Sequence, residues 1–215
     1  MDLLISDLLD YIEEQHAATN YERDPVKLAE AWGIRYEVGP RYLARSRDYD
    51  MRNDLICVTE EEYGSRHLFS VSHEFVHVLA RRGGYIKLIR YYHASVPDMR
   101  KHIELIVNYG GGRLLMTAQD LYEATREFGD SPNVILRLME VSGASEAAAM
   151  RRWSWQDIHE YRAAFTAQGN YIQDAVRCRA RLPFKRGDRV PEIHIVHPDV
   201  NLVYLGDGRV MGTVV

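Results

Sequence analysis

The stretch Phe69-Ser70-Val71-Ser72-His73-Glu74-Phe75-Val76-His77 places two histidines four residues apart, with a glutamate directly after the first. Four residues make slightly more than one helical turn, so on a helix both imidazoles leave the same face about 6 Å apart and can grip one metal ion. Glu74 then lies about 100° around the helix, beside the ion rather than on it. There its carboxylate can take a proton from a metal-activated water, the general-base role of zinc hydrolases. The surroundings read as a bounded helix. Ser65 is a candidate cap, and Phe69, His73, Val76, His77 and Ala80 recur at three- and four-residue steps. Gly83-Gly84 supplies a stop after Arg81 and Arg82, cations that suit the negative end of a helix dipole. The competing reading is two histidines that merely line a half-buried helix.

A catalytic zinc takes three protein ligands and keeps one position open for water, so a further ligand must come from another element. Glu104 is the leading candidate, on a second helical segment that begins near Ser95-Val96-Pro97-Asp98 and carries Ile103, Ile106, Val107, Leu114 and Leu115 in an apolar pattern. Asn108, four residues on, shares its face and can support a ligand. His102 is an alternative that points to nearly the opposite side of that helix, and His93, before the cap, is a weaker rival. A glutamate on a helix is otherwise most often solvated.

At these residues the chain resembles a known family. The stretch from Phe69 to His77 looks like the F-T-L-A-H-E-x-G-H core of the ImmA/IrrE metallopeptidases. Glu104-Leu105-Ile106-Val107-Asn108 and Arg113-Leu114-Leu115-Met116 look like their E-x-x-A-N and L-L-M-P segments, in the same order and separation. The resemblance implies a zinc-dependent endopeptidase in which His73, His77 and Glu104 hold the metal and Glu74 is the catalytic acid/base. It also implies the substrate, a partner repressor of the helix-turn-helix type, whose cleavage relieves repression in phage, mobile-element or stress responses. Tyr91, Tyr92, His93 and Tyr109 are candidates for stabilising the oxyanion. Because histidines must be neutral to bind metal, activity is expected to fail in mild acid.

The chain departs from that family at several positions. Val76 stands where a glycine is usual, so the element packed there is expected to stand off further. Gly110, Gly111 and Gly112 replace aromatic and alanine residues, and three glycines weaken a helix by about 1 kcal/mol each relative to alanine, so this helix is expected to bend, break or be packed very closely. Thr117 replaces a proline. These departures motivate an alternative: a non-proteolytic regulatory or toxin–antitoxin-type protein with a structural metal site.

The rest of the chain fits an α+β protein of 215 residues, 46% apolar, 27% charged, with a net charge of −4 that exerts no global pull toward nucleic acid. Cys57 and Cys178 match neither a disulfide framework nor a cysteine zinc site, no apolar run is long enough to cross a membrane, and the start lacks a basic signal region. A reduced, cytoplasmic setting is expected. Residues 1–117 read as a zincin-like metallopeptidase core: helices over 3–16 and from Asp24-Pro25 to Gly33, strands over 34–38 and 55–58, a polar loop over 45–52 and a connecting loop over 60–64. Residues 118–168 read as a helical, helix-turn-helix-like unit, with helices over 118–128, 133–139 and 145–155 and a turn at Gly143. Arg151 and Arg152 could touch phosphate there, but Glu140, Glu146 and the lack of a basic stripe disfavour direct DNA contact. Residues 169–215 read as a small β unit: a basic stretch over 173–185, strands over 191–196 and 201–205, and a Gly206-Asp207-Gly208 hairpin before residues 209–215. His194 and His197 read as structural or surface residues.

Overall fold

Leu8, Leu9 and Ile12 line one face of α1 (Leu3–Ala17) and are almost wholly buried there. The computed structural model describes residues 3–40, 43–47, 50–59, 65–157 and 159–215, and the chain divides into two compact units, Met1–Thr117 and Ala118–Val215. In the first unit Asp24 caps α2 (Pro25–Ala31), its carboxylate accepting from the backbone N–H of Val26 at 2.9 Å and Lys27 at 3.1 Å. Strands β1 (Arg35–Val38), β2 (Leu43–Arg47) and β3 (Asp50–Val58) form a mixed sheet in the order β1-β3-β2, with β1 parallel and β2 antiparallel to β3. Three helices follow: α3 (Ser65–Arg82), α4 (Tyr85–Tyr92) and α5 (Met99–Leu115).

Helix α3 is the centre of this unit. Its Val71, Phe75, Val76, Val78, Leu79 and Ala80 meet Leu8 and Ile12 of α1, Trp32, Ile56 of β3, Ile89 of α4 and Val107 of α5 in one apolar cluster. Each large side chain buried this way contributes about 1.5–3 kcal/mol. Phe75 meets Trp32 edge-on, with ring centroids 5.2 Å apart. At the far end of α3, Arg82 pairs with the buried carboxylate of Asp54 on β3 and donates to the carbonyl oxygen of Trp32 at 2.6 Å. One guanidinium thus ties the end of α3 to β3 and to the residue after α2.

Several expectations change here. Residues 45–47 and 50–52, read as loop, belong to β2 and β3, whose mixed-charge sequence hides the pairing. The second metal-site helix is capped by Asp98, which accepts from the Lys101 N–H at 2.9 Å, rather than by Ser95, and Pro97 precedes it. Helix α4 was not foreseen; Gly84, with φ of 76°, turns the chain directly from α3 into it. The three glycines do not break α5, which runs through them to Leu115. The connecting loop expected over 60–64 lies outside the described residues.

The second unit begins with α6 (Ala118–Phe128), α7 (Asn133–Ser142) and α8 (Glu146–Ser154). Gly143, at φ of 66°, closes α7, and the Ser145 hydroxyl accepts from the Ala148 N–H at 3.3 Å to open α8. Strands β4 (Arg162–Gln168), β5 (Tyr171–Cys178), β6 (Asn201–Gly206) and β7 (Arg209–Val214) then form an antiparallel sheet in the order β5-β4-β7-β6. Asp207 and Gly208, both at positive φ, make the tight turn between β6 and β7. The expected division at residues 168/169 falls at the end of β4, inside the unit Ala118–Val215, in which α8 packs on β4 and β5. The strand expected over 191–196 is instead a short helix, α9 (Ile193–Val196), which carries His194 and is followed by His197.

This packing also changes the reading of the helix pair. Helix α8 packs on β4 and β5, and Ala148, Ala149, Met150 and Trp153 are buried against them. Arg152 is only 5% exposed, and Arg151 donates to the Ala147 carbonyl at 3.2 Å. Of the two arginines expected to reach phosphate, Arg152 is therefore core, whereas Arg151 stays exposed.

Candidate metal centre

His73 and His77 leave α3 on one face, and their Nε2 atoms lie 3.0 Å apart. Glu104, projecting from α5, brings one carboxylate oxygen to 3.2 Å from His73 Nε2 and the other to 3.5 Å from His77 Nε2. Among the described residues this is the one group of three side chains that could hold a metal ion. The spacing can be tested against zinc. Bonds of about 2.0–2.1 Å at tetrahedral angles put neighbouring donor atoms about 3.3–3.4 Å apart. The separation of the two imidazole nitrogens, and that of each from its nearer Glu104 oxygen, lie within a few tenths of an ångström of that value, and two imidazoles with a carboxylate suit zinc by donor type, so the residues fit the ion.

Asn108, one turn after Glu104, accepts at its side-chain oxygen from His73 Nδ1–H across 2.9 Å. That bond puts the His73 proton on Nδ1 and leaves the Nε2 lone pair facing the site. His77 is held well below its ordinary range, at about 4, first by burial and then by the neighbouring His73, with Glu104 opposing. Its lone pair is therefore free at neutral pH. Glu74 is half-buried on the next position of α3.

The rivals for the third position fall elsewhere. His93 and His102 share a ring N–H at 2.7 Å and take no part in the His73, His77 and Glu104 group. Tyr91 and Tyr92 are exposed on α4, stacked edge-on against each other. Their geometry assigns neither an oxyanion role.

The sequence departures prove to be matched to one another. A Cβ added at Gly110 would lie 2.9 Å from Val76 Cγ1, and one at Gly111 would lie 3.2 Å from the backbone nitrogen of His73. Rather than α5 standing off from Val76, α5 gives up its own side chains and lets α3 approach. That close approach brings Glu104 and Asn108 within reach of the two histidines. Sequence reasoning missed this complementarity, although both of its halves were visible as departures from one motif.

Comparison with known proteins agrees with this picture. A solved structure described as a Mycobacterium tuberculosis transcriptional regulator superposes with a TM-score of 0.56 over 97% of this chain and 75% of that chain, at 13% identity, a likeness of fold. No match is found among curated protein sequences. The sequence profile of Peptidase_M78, the IrrE N-terminal-like domain, matches residues 34–154, more than half of the chain, and the protein belongs to that family.

Proposed function

We propose that the protein is a zinc-dependent endopeptidase. The observation that carries this reading is the triangle of donor atoms formed by His73, His77 and Glu104 across two helices, with an acid beside it. Zinc, when bound, makes a water acidic near neutral pH and polarises a peptide carbonyl. His73, His77 and Glu104 hold the ion, and Asn108 fixes the His73 ring. Glu74 takes the proton of the attacking water and passes it to the departing amine. The family resemblance supplies the substrate class, a helix-turn-helix transcriptional repressor. The reading places the reaction in the cytoplasm; among the described residues no helix is long and apolar enough to cross a membrane.

Val76 and Gly110 accommodate each other, so that pair of departures does not by itself favour a non-proteolytic reading. The discriminating experiment is Glu74→Gln. The variant should keep its zinc and lose cleavage of the repressor by at least about a hundredfold. Undiminished cleavage, or a wild type that leaves the repressor intact with zinc bound, would defeat the proposal.

A further inference from the structure

The second unit carries a charge concentration that the metal centre does not use. Within a chain of net charge −4, residues 177–189 hold six cations, Arg177, Arg179, Arg181, Lys185, Arg186 and Arg189, against the single acid Asp188. Folding sorts this segment by polarity. Val176, Ala180, Leu182 and Phe184 turn into the unit and are buried, while all six cations are exposed. The alternation continues past Cys178, where β5 ends. Arg177, Leu182 and Pro183 are shared by two adjoining hollows of about 450 and 570 Å³, the first also edged by Lys185 and Arg186, the second by Arg179 and Arg181.

Like charges gathered in this way repel one another and weaken the folded state unless something neutralises them. The chain itself supplies little. Asp188 is occupied by the Lys185 N–H at 2.9 Å and Asp174 by the Ala175 N–H at 2.9 Å. Among the described residues Arg177, Arg181, Lys185, Arg186 and Arg189 make no ion pair. Arg179 lies over the ring of Tyr161, 5.1 Å from its centroid, and both Tyr161 and Tyr171 are more than half exposed.

We propose that this surface binds the phosphodiester backbone of a nucleic acid. A small-molecule site encloses its ligand and aims a few sheltered polar groups at it. Here every cation is exposed and the hollows open to solvent, the arrangement by which arginine and lysine meet backbone phosphates without reading sequence. Exposed tyrosines beside them offer flat faces on which bases can stack. The site is separate from the helix pair whose Arg152 is buried, and it is independent of the peptidase reading: Glu74→Gln should bind nucleic acid like the wild type.

The test is fluorescence anisotropy of a labelled single-stranded oligonucleotide and of its duplex with the full chain, between about 50 and 200 mM salt. Arg177→Gln/Arg181→Gln/Lys185→Gln should lose at least about tenfold in affinity at low salt, and its log affinity against log salt should flatten by about two to three. Arg177→Lys/Arg181→Lys, which keeps the charge, and Arg137→Gln on α7 should both bind like the wild type. Three results would overturn the proposal: no binding by the wild type at low salt, equal binding by the triple glutamine variant, or release of the oligonucleotide by stoichiometric inorganic tripolyphosphate, which would mark a compact anion site instead.

Discussion

At the scale of single residues, the centre depends on which nitrogen of each histidine is bare. Asn108 sets this for His73 by accepting its Nδ1 proton at 2.9 Å. Asn108→Ala should therefore weaken zinc binding about 10- to 100-fold, read by competition with a chelator, while the exposed position leaves folding unchanged. His77 gives a pH signature in the metal-free chain. Unfolded, it takes up a proton near its ordinary 6.5; folded, burial and His73 keep the proton off until about 4. Between those values the unfolded state binds more protons, so stability falls as pH drops from 6.5 toward 4, and below that this contribution changes no further. Urea unfolding of metal-free wild type should show a larger loss between pH 6.5 and 4 than His77→Gln; equal losses would contradict the account. His73, Glu74 and His77 are legible in the sequence because metal chemistry fixes their type and spacing. Glu104 and Asn108 are legible as a pair one turn apart. The pairing of His93 with His102 is not, since it depends on α4, an eight-residue helix enclosed between glycines and a proline-bearing turn.

At the scale of elements, the site rests on how closely α3 and α5 approach. Alanine at position 110 gains about 1 kcal/mol of helix propensity over glycine, but forcing a methyl against a stiff, fully buried Val76 costs about 1–3 kcal/mol. Gly110→Ala alone should lower the thermal midpoint. In a Val76→Ala background the clash with the valine is gone and the end of the Ile12 side chain, 3.2 Å from the added methyl, can shift into the vacated space, so the same change should raise it, a reversal of sign that independent sites could not produce. The glycine run thus looks like weakness in sequence and serves as contact surface in the fold. Strand β4 was missed for a related reason. Ala163, Ala164, Phe165, Thr166 and Ala167 are all buried, so the strand shows none of the polar–apolar alternation by which strands are read.

At the scale of the whole molecule, the first unit carries the His73, His77 and Glu104 group and the second the cationic surface. Within the first unit, α3 and α5 are joined by packing on one side and by the proposed ligands on the other, so zinc binding should be coupled to folding. The strand before the metal helix and the helix α5 that faces it are legible in sequence, whereas β2, α4 and the joining of helices and sheet in the second unit are not, the last because it rests on α8 packing against β4 and β5. The most direct test of the central claim is a zinc titration of the metal-free protein, followed through both bound metal and thermal stability. One ion per chain, a raised unfolding midpoint, and an affinity that drops at least about a hundredfold in Glu104→Ala are expected. Zinc binding equally tight in that variant, or none in the wild type, would contradict it.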